Sequence, residues 1–368
     1  GGSDKTQAAV LYGLQWLAKK QDSDGLWSLT GRFRTDAKSK SATFTKGSHD
    51  ENKCAATALA MLAFQGYGQS HLDGPHEMFR LAVEKGMKGL LRWQAADGSF
   101  TKNARVEQPH LTRQHLTYTQ AMCAFALSEL YAMTKDSSLR VPAQKAIDYL
   151  VENQDRLGGW KYQPGSGADL SVTGWVMMAL QSARMAELEV PQKTLYAIEG
   201  FLNKAARDGG RRYAYDAFRP QWSLAMTAEG LLCRQYLGWS QDDEKMVDGA
   251  KLLAANPIEF NTEYQDVYYW YYATQVLHNM EDENWNRWNA VMKRELPARQ
   301  VMEGSETGSW SPEGDAWGPH AGRLYVTALS IFMLETYYRH LPIYSQNFGN
   351  ALDKSGARSA ESKEPEGS

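Results

Sequence analysis

Three segments of the chain carry one spacing, and a repeated spacing constrains a fold more tightly than any single motif. A small residue is followed three positions on by an aromatic or Gly, then directly by Leu, then by Gln, Gly and an aromatic at fixed intervals. The copies run Gly13, Trp16, Leu17, Gln21, Gly25, Trp27; then Gly86, Gly89, Leu90, Gln94, Gly98, Phe100; then Ala146, Tyr149, Leu150, Gln154, Gly158, Trp160. One such unit cannot bury its apolar face alone, so neighbouring units must stack.

Each copy closes an amphipathic helix at the Gly, where the chain leaves helical geometry. A more apolar helix follows every time. The apolar partners are expected near 52–64, 117–131, 170–185, 223–236, 266–278 and 323–338. Aligning them stacks Thr57, Thr119, Thr173, Thr227 and Thr327, with Tyr269 in the fifth place. Weaker amphipathic partners of the last three lie near 195–213, 246–260 and 284–310. Six hairpins result. Helices apolar all round belong inside and one-striped helices outside, and closing the row into a ring buries the inner set without capping repeats. The expected fold is therefore all-α, an α/α toroid of six inner and six outer helices.

At 368 residues, 43% hydrophobic and 23% charged, with a formal charge of −3, the composition is that of a globular protein. It excludes a general polyanion-binding surface, and hence nucleic acid as a partner, because counterion release needs clustered Lys and Arg. Cys54, Cys123 and Cys233 lie far apart inside apolar runs, where a thiol acts as a small buried hydrophobe rather than as part of a zinc or disulfide framework. No apolar stretch is long enough to span a bilayer. Residues 1–4 read as an artificial leader, 5–344 as the toroid, and 345–368, rich in Ser, Glu, Lys and Gly, as a disordered tail. Nothing in the sequence fixes a cellular location.

The Gln, Gly and aromatic spacing resembles the QW motif of squalene and oxidosqualene cyclases, and the ring of hairpins resembles the related protein prenyltransferases. More narrowly, GSGADLSVTGWVMM at 165–178 and RLYVTALSIFMLETYYRHLPIY at 323–344 are similar to a bacterial group of prenyltransferase and squalene oxidase repeat proteins. The resemblance implies the toroid and an apolar or isoprenoid ligand in its centre. It does not carry the chemistry across. Cyclases of this type protonate an alkene with the middle Asp of a D-x-D-D run; the matching run here is Asp169, Leu170, Ser171, Val172, with Ser171 at the donor position. A serine hydroxyl is far too weak an acid for that step. The prenyltransferase zinc ligands match Asp169, Ser171 and Tyr269, and Ser and Tyr are not the Cys and His that zinc needs. No cofactor and no metal are therefore expected.

In a closed ring, the segments leading into the inner helices share one rim. His49, Asp50, His110, His115, Asp169, Arg219, Asp266, His320 and Arg323 all fall there. Asp169, Asp266, His115, His320 and Arg323 are the candidates for any catalysis, although Asp169 and Asp266 also suit helix N-caps. Tyr118, Ser171, Thr173, Trp175, Tyr268, Tyr269, Tyr272 and Tyr325 are the candidates to line a central cavity, whereas Met177, Met178, Trp270 and Tyr271 are bulky enough to fill it.

Three functions follow. The chain is read first as a toroid that binds an apolar or isoprenoid ligand without the usual acid or zinc site. It is read second as an enzyme with non-standard rim chemistry, either carbohydrate hydrolase-like or lyase-like or an atypical terpenoid enzyme. The third reading is a protein-interaction scaffold with a filled centre.

Overall fold

The computed structural model describes residues 2–29, 51–101, 115–260 and 265–339. Twelve helices run through them: α1 (Asp4–Lys20), α2 (Lys53–Gly66), α3 (Glu77–Trp93), α4 (Leu116–Thr134), α5 (Ser137–Glu152), α6 (Leu170–Met185), α7 (Gln192–Ala205), α8 (Leu224–Tyr236), α9 (Glu244–Ala254), α10 (Val267–Met280), α11 (Glu283–Ala298) and α12 (Gly318–Arg339). His49, Asp50, His110 and the expected tail at 345–368 lie outside the described residues.

Odd and even helices differ as the sequence pattern requires. In α3 the buried residues Phe79, Ala82, Val83, Gly86, Met87 and Leu90 recur at helical spacing and form one stripe. By contrast, α6 buries every residue from Leu170 to Ala183, and α10 every residue from Val267 to Met280. A helix buried on all sides needs neighbours on all sides. They are present: α2 packs on α4, α4 on α6, α6 on α8, α8 on α10, α10 on α12, and α12 back on α2. The fold is a closed α/α toroid with the even helices inside.

The repeated motif is the seam between hairpins. Gln21 donates through its side-chain amide to the carbonyls of Gly25 and Ala82, the second lying on the next outer helix. Gln154 does the same to Gly158 and Thr194. Gly158 has φ +98°, and a Cβ there would stand 2.0 Å from the Ala197 carbonyl oxygen on α7, so both conformation and space require Gly. The motif Trp bonds back to the motif Leu: Trp27 and Trp160 donate their indole N–H to the carbonyls of Leu17 and Leu150, each at 2.8 Å.

The structure contains a further copy that the fixed spacing hides. Gln300 donates to the carbonyls of Gly308 and Ala9, and the Trp310 indole donates to Leu296. Here Gln and Gly stand eight residues apart rather than four, and the Gln reaches α1, closing the ring. The expected helices at 195–213 and 284–310 are shorter, as is that at 246–260, which ends at Ala254. The first ends at Ala205, and the chain then forms a two-residue antiparallel pair, Ala206–Arg207 with Arg212–Tyr213, around positive-φ Gly209 and Gly210. The second ends at Ala298, before the long motif loop. In α12 the helix breaks at Gly322 (φ 84°), so its regular part starts at Arg323, as expected.

Candidate functional site

Four of the five aligned Thr positions face the seams, while Thr119 bonds instead to Asn52 and the His115 carbonyl. Thr57, Thr173, Thr227 and Thr327 each accept, through Oγ1, the backbone N–H of the preceding aromatic: Trp27, Trp160, Tyr213 and Trp310. Tyr269, in the same register, turns outward as well and donates its hydroxyl to the carbonyls of Leu253 and Asn256 at the end of α9. Thr173 and Tyr269, both expected on the cavity wall, thus turn their side chains from the inner helices toward the seams. In a helix apolar all round, the alternation of seam and lumen cannot be read from hydropathy.

Around the mouth of the ring, Asp169 starts α6 in extended geometry (φ −132°, ψ 159°) and accepts the Val172 N–H at 2.9 Å. Its own N–H goes to the Trp160 carbonyl and that of Leu170 to Tyr215, which fixes this corner against two loops. Ser171 donates to Asp169 Oδ1 at 2.9 Å and accepts from the Tyr118 hydroxyl of α4 at 2.6 Å. Tyr118 lies 5.9 Å, ring to ring, from Tyr162, whose hydroxyl is hydrogen-bonded to that of Tyr215. Burial raises the Asp169 carboxyl, against the lowering pull of the Val172 amide and the Ser171 and Tyr215 hydroxyls.

Deeper in the ring lies a group that sequence reasoning alone does not single out. Glu229, on α8, is fully buried, and the Tyr268 hydroxyl of α10 stands 3.1 and 3.0 Å from its two oxygens. That hydroxyl is also 3.2 Å from the Ser171 carbonyl on α6, so three inner helices meet here. Room for the carboxyl comes from Gly174: a Cβ at that position would stand 2.0 Å from Glu229 Oε1. Burial pushes the Glu229 carboxyl well above its ordinary range, more strongly than Tyr268 and Tyr272 pull it down. A protonated Glu229 can donate to Tyr268 Oη, leaving the single Tyr268 proton for the Ser171 carbonyl. The sequence signal is a lone acid inside an otherwise apolar helix, which is rarely buried without partners.

Below this level the lumen is crossed by Tyr271. Its ring stacks on Trp175 of α6 (6.1 Å, 24°) and tilts against Phe332 of α12 (5.6 Å), while its hydroxyl reaches Met178 Sδ at 3.5 Å. Tyr272 packs between Trp175 and Tyr268. Exposure falls along the same axis: Tyr118 is half-buried, Ser171, Tyr268 and Tyr325 retain 7–8%, and Trp175, Glu229 and Tyr272 retain 1% or less. The mouth is thus a shallow ring of hydroxyls above an aromatic plug. Tyr325 joins it from α12, its hydroxyl raised by burial and then by Asp315, Asp266 and Glu229.

The remaining rim candidates do not converge on this point. Asp266 caps α10 through the Tyr269 N–H, and burial raises it to about 6. Asp315 ties the two neighbouring helix starts together by accepting from Val267, Trp317 and Gly318. His115 occupies the cap position of α4 without a side-chain cap bond. His320 is exposed. Arg323 is buried and donates to Ser309 Oγ at 3.1 Å, and Arg219 stacks on Tyr215 while pairing with Asp216. Among the described residues no group of three His, Cys, Asp or Glu side chains is arranged to hold a metal, and no helix is long and apolar enough to cross a membrane.

No profile of a known protein family matches the chain, and no curated protein matches it in sequence. Solved structures do match its fold. The type II terpene cyclase MstE from Scytonema superimposes with a TM-score of 0.61 at 12% identity, covering 92% of this chain and 100% of that one. The same enzyme has been captured with its substrate, geranylgeranyl dihydroxybenzoate. An α-1,6-mannanase, GH76A of Salegentibacter, in complex with α-1,6-mannotetrose, matches with a TM-score of 0.58 at 10% identity, over 90% of this chain and 98% of that one. An α-amylase from Clostridium perfringens gives 0.57 at 10% identity over the same shares. The fold is a terpenoid cyclase-like α/α toroid, an architecture that also carries glycoside hydrolases.

Proposed function

We propose that the toroid binds an uncharged, largely apolar ligand of the isoprenoid class, whose oxygen-bearing head sits at the hydroxyl ring of the mouth. The observation that carries this reading is the chemistry of the groups that meet there. Tyr118, Ser171 and Tyr268 supply hydroxyl donors and acceptors, set above the aromatic faces of Trp175, Tyr271 and Tyr272. Such a surface rewards apolar contact and a few directed hydrogen bonds. Substrate-bound terpenoid cyclase structures of the same fold are consistent with it.

A carbohydrate hydrolase reading has less support from the geometry. Retaining and inverting mechanisms both use an acid paired with an ionised carboxylate across the sugar. Here Glu229 is sealed and Asp169 is engaged as a helix cap.

Native mass spectrometry of the purified protein with a C15 to C30 isoprenoid alcohol series tests the proposal. Retention by the wild type, weakened by about tenfold or more in the double variant Tyr118→Phe/Tyr268→Phe, is the expected result, each lost hydroxyl removing one directed bond. No retained isoprenoid would overturn it and favour the scaffold reading.

A further inference from the structure

The seam between the fifth and sixth hairpins opens into a cavity of about 110 Å³. Val267 and Trp270 of α10, Val326 of α12, Trp310 and Phe260 form its apolar walls. The related seam between the second and third hairpins, where α4 meets Trp160, encloses only about 10 Å³. The wider seam is the one whose motif loop carries the four extra residues between Gln300 and Gly308. Trp270 and Trp310 are almost fully buried, and Phe260 packs on Trp270 at 4.9 Å. This cavity is separate from the lumen, since Trp270 points to the seam while its neighbour Tyr271 crosses the ring.

Among the described residues that line the cavity, Arg299 and Glu313 are the charged ones. Arg299 is exposed, with its guanidinium 5.5 Å over the Phe260 ring, and Glu313 is exposed on the opposite loop, its backbone carbonyl held by the buried Gln265 amide at 3.5 Å. A guanidinium has five N–H donors in a fork that fits a carboxylate even while it engages other partners. A lone anion would meet Glu313 and a lone cation would meet Arg299. A ligand with both charged groups attached to one carbon, ending in a short apolar group, matches all three features.

We propose that this seam binds a free α-amino acid with a small branched aliphatic side chain. Its carboxylate lies against Arg299, its ammonium against Glu313, and its side chain between Trp270 and Trp310. The size follows from volume: an apolar cavity of about 150 Å³ takes benzene, so roughly 110 Å³ suits a side chain of about three or four carbons.

A ligand of about eight heavy atoms binds in the millimolar range at ordinary ligand efficiency, within reach of isothermal titration calorimetry. The intact protein is titrated with L-valine and L-leucine, and with isovalerate and isobutylamine, which carry one charge each. Saturable binding of at least one amino acid is expected, with both single-charge analogues and the variants Arg299→Gln and Glu313→Gln about tenfold or more weaker. Both substituted residues are exposed, so unchanged melting curves confirm intact variants. Absence of saturable binding, equal binding of isovalerate or isobutylamine, or full affinity in either variant would overturn the assignment. Because the lumen residues are untouched, the result is independent of isoprenoid retention.

Discussion

The Tyr268 hydroxyl of α10 lies within hydrogen-bond reach of both oxygens of Glu229 on α8 and of the Ser171 carbonyl on α6. One proton donor faces three acceptor atoms there, and a neutral carboxylic acid adds a second donor where a carboxylate adds none.

Glu229 therefore gives stability a definite pH dependence. Its folded-state pKa is raised above the ordinary 4.5, so its contribution is fully present below that value and is lost as pH rises toward the folded pKa. Glu229→Gln cannot ionise and keeps the shape of the acid. Its melting temperature relative to wild type is expected to climb as pH is raised above the ordinary 4.5 toward the folded pKa, measured by differential scanning calorimetry. A difference that stays constant with pH would show that Glu229 does not titrate in this way.

Gly174 makes the room for that carboxyl, since a methyl group placed there would approach Oε1 to 2.0 Å. Gly174→Ala is expected to cost about 1–3 kcal/mol by overpacking. Combining it with Glu229→Ala should recover part of that loss, giving a coupling of about 0.5–3 kcal/mol in urea titrations. Strict additivity would mean the two residues do not compete for the same space.

Tyr271 bridges Trp175 and Phe332 across the ring. Tyr271→Ala should cost about 3–5 kcal/mol as a buried aromatic truncation and open the lumen below the mouth. The measurement is retention of isoprenoid alcohols by native mass spectrometry alongside the melt. Longer chains should be retained better than by wild type, and unchanged retention would mean that the space below Tyr271 is not used.

In the seams, Trp160→Ala is expected to lose about 3–5 kcal/mol. Gly158→Ala faces both a positive φ and the Ala197 carbonyl at 2.0 Å, so it should lose more than the roughly 1 kcal/mol that a strained φ alone costs. Chemical denaturation compares the two; a Gly158→Ala protein as stable as wild type would contradict the close approach of α7.

Much of this architecture is legible in the sequence because the seam chemistry is local. Gln, Gly and Trp act within one hairpin and touch the next, so their spacing exposes the repeat directly. The copy at Gln300 escapes because its loop is longer, although its side-chain bonds are the same. Ser171 and Asp169 can be found by position, while Glu229 cannot: its significance depends on Gly174 and Tyr268, which belong to other helices. Thr173 and Tyr269 face the seams rather than the lumen, and the sequence does not reveal this because a segment buried all round has no hydropathic face.

The bond from Gln300 to the Ala9 carbonyl, 291 residues earlier in the chain, joins the last hairpin to the first. An open stack of repeats frays from its ends, where a terminal unit has one neighbour to leave. In this ring every hairpin has two, so opening any one of them breaks a pair of seams at once. Unfolding has no cheap starting point, and slow amide exchange should extend around the whole inner circle rather than fade toward either end of the chain.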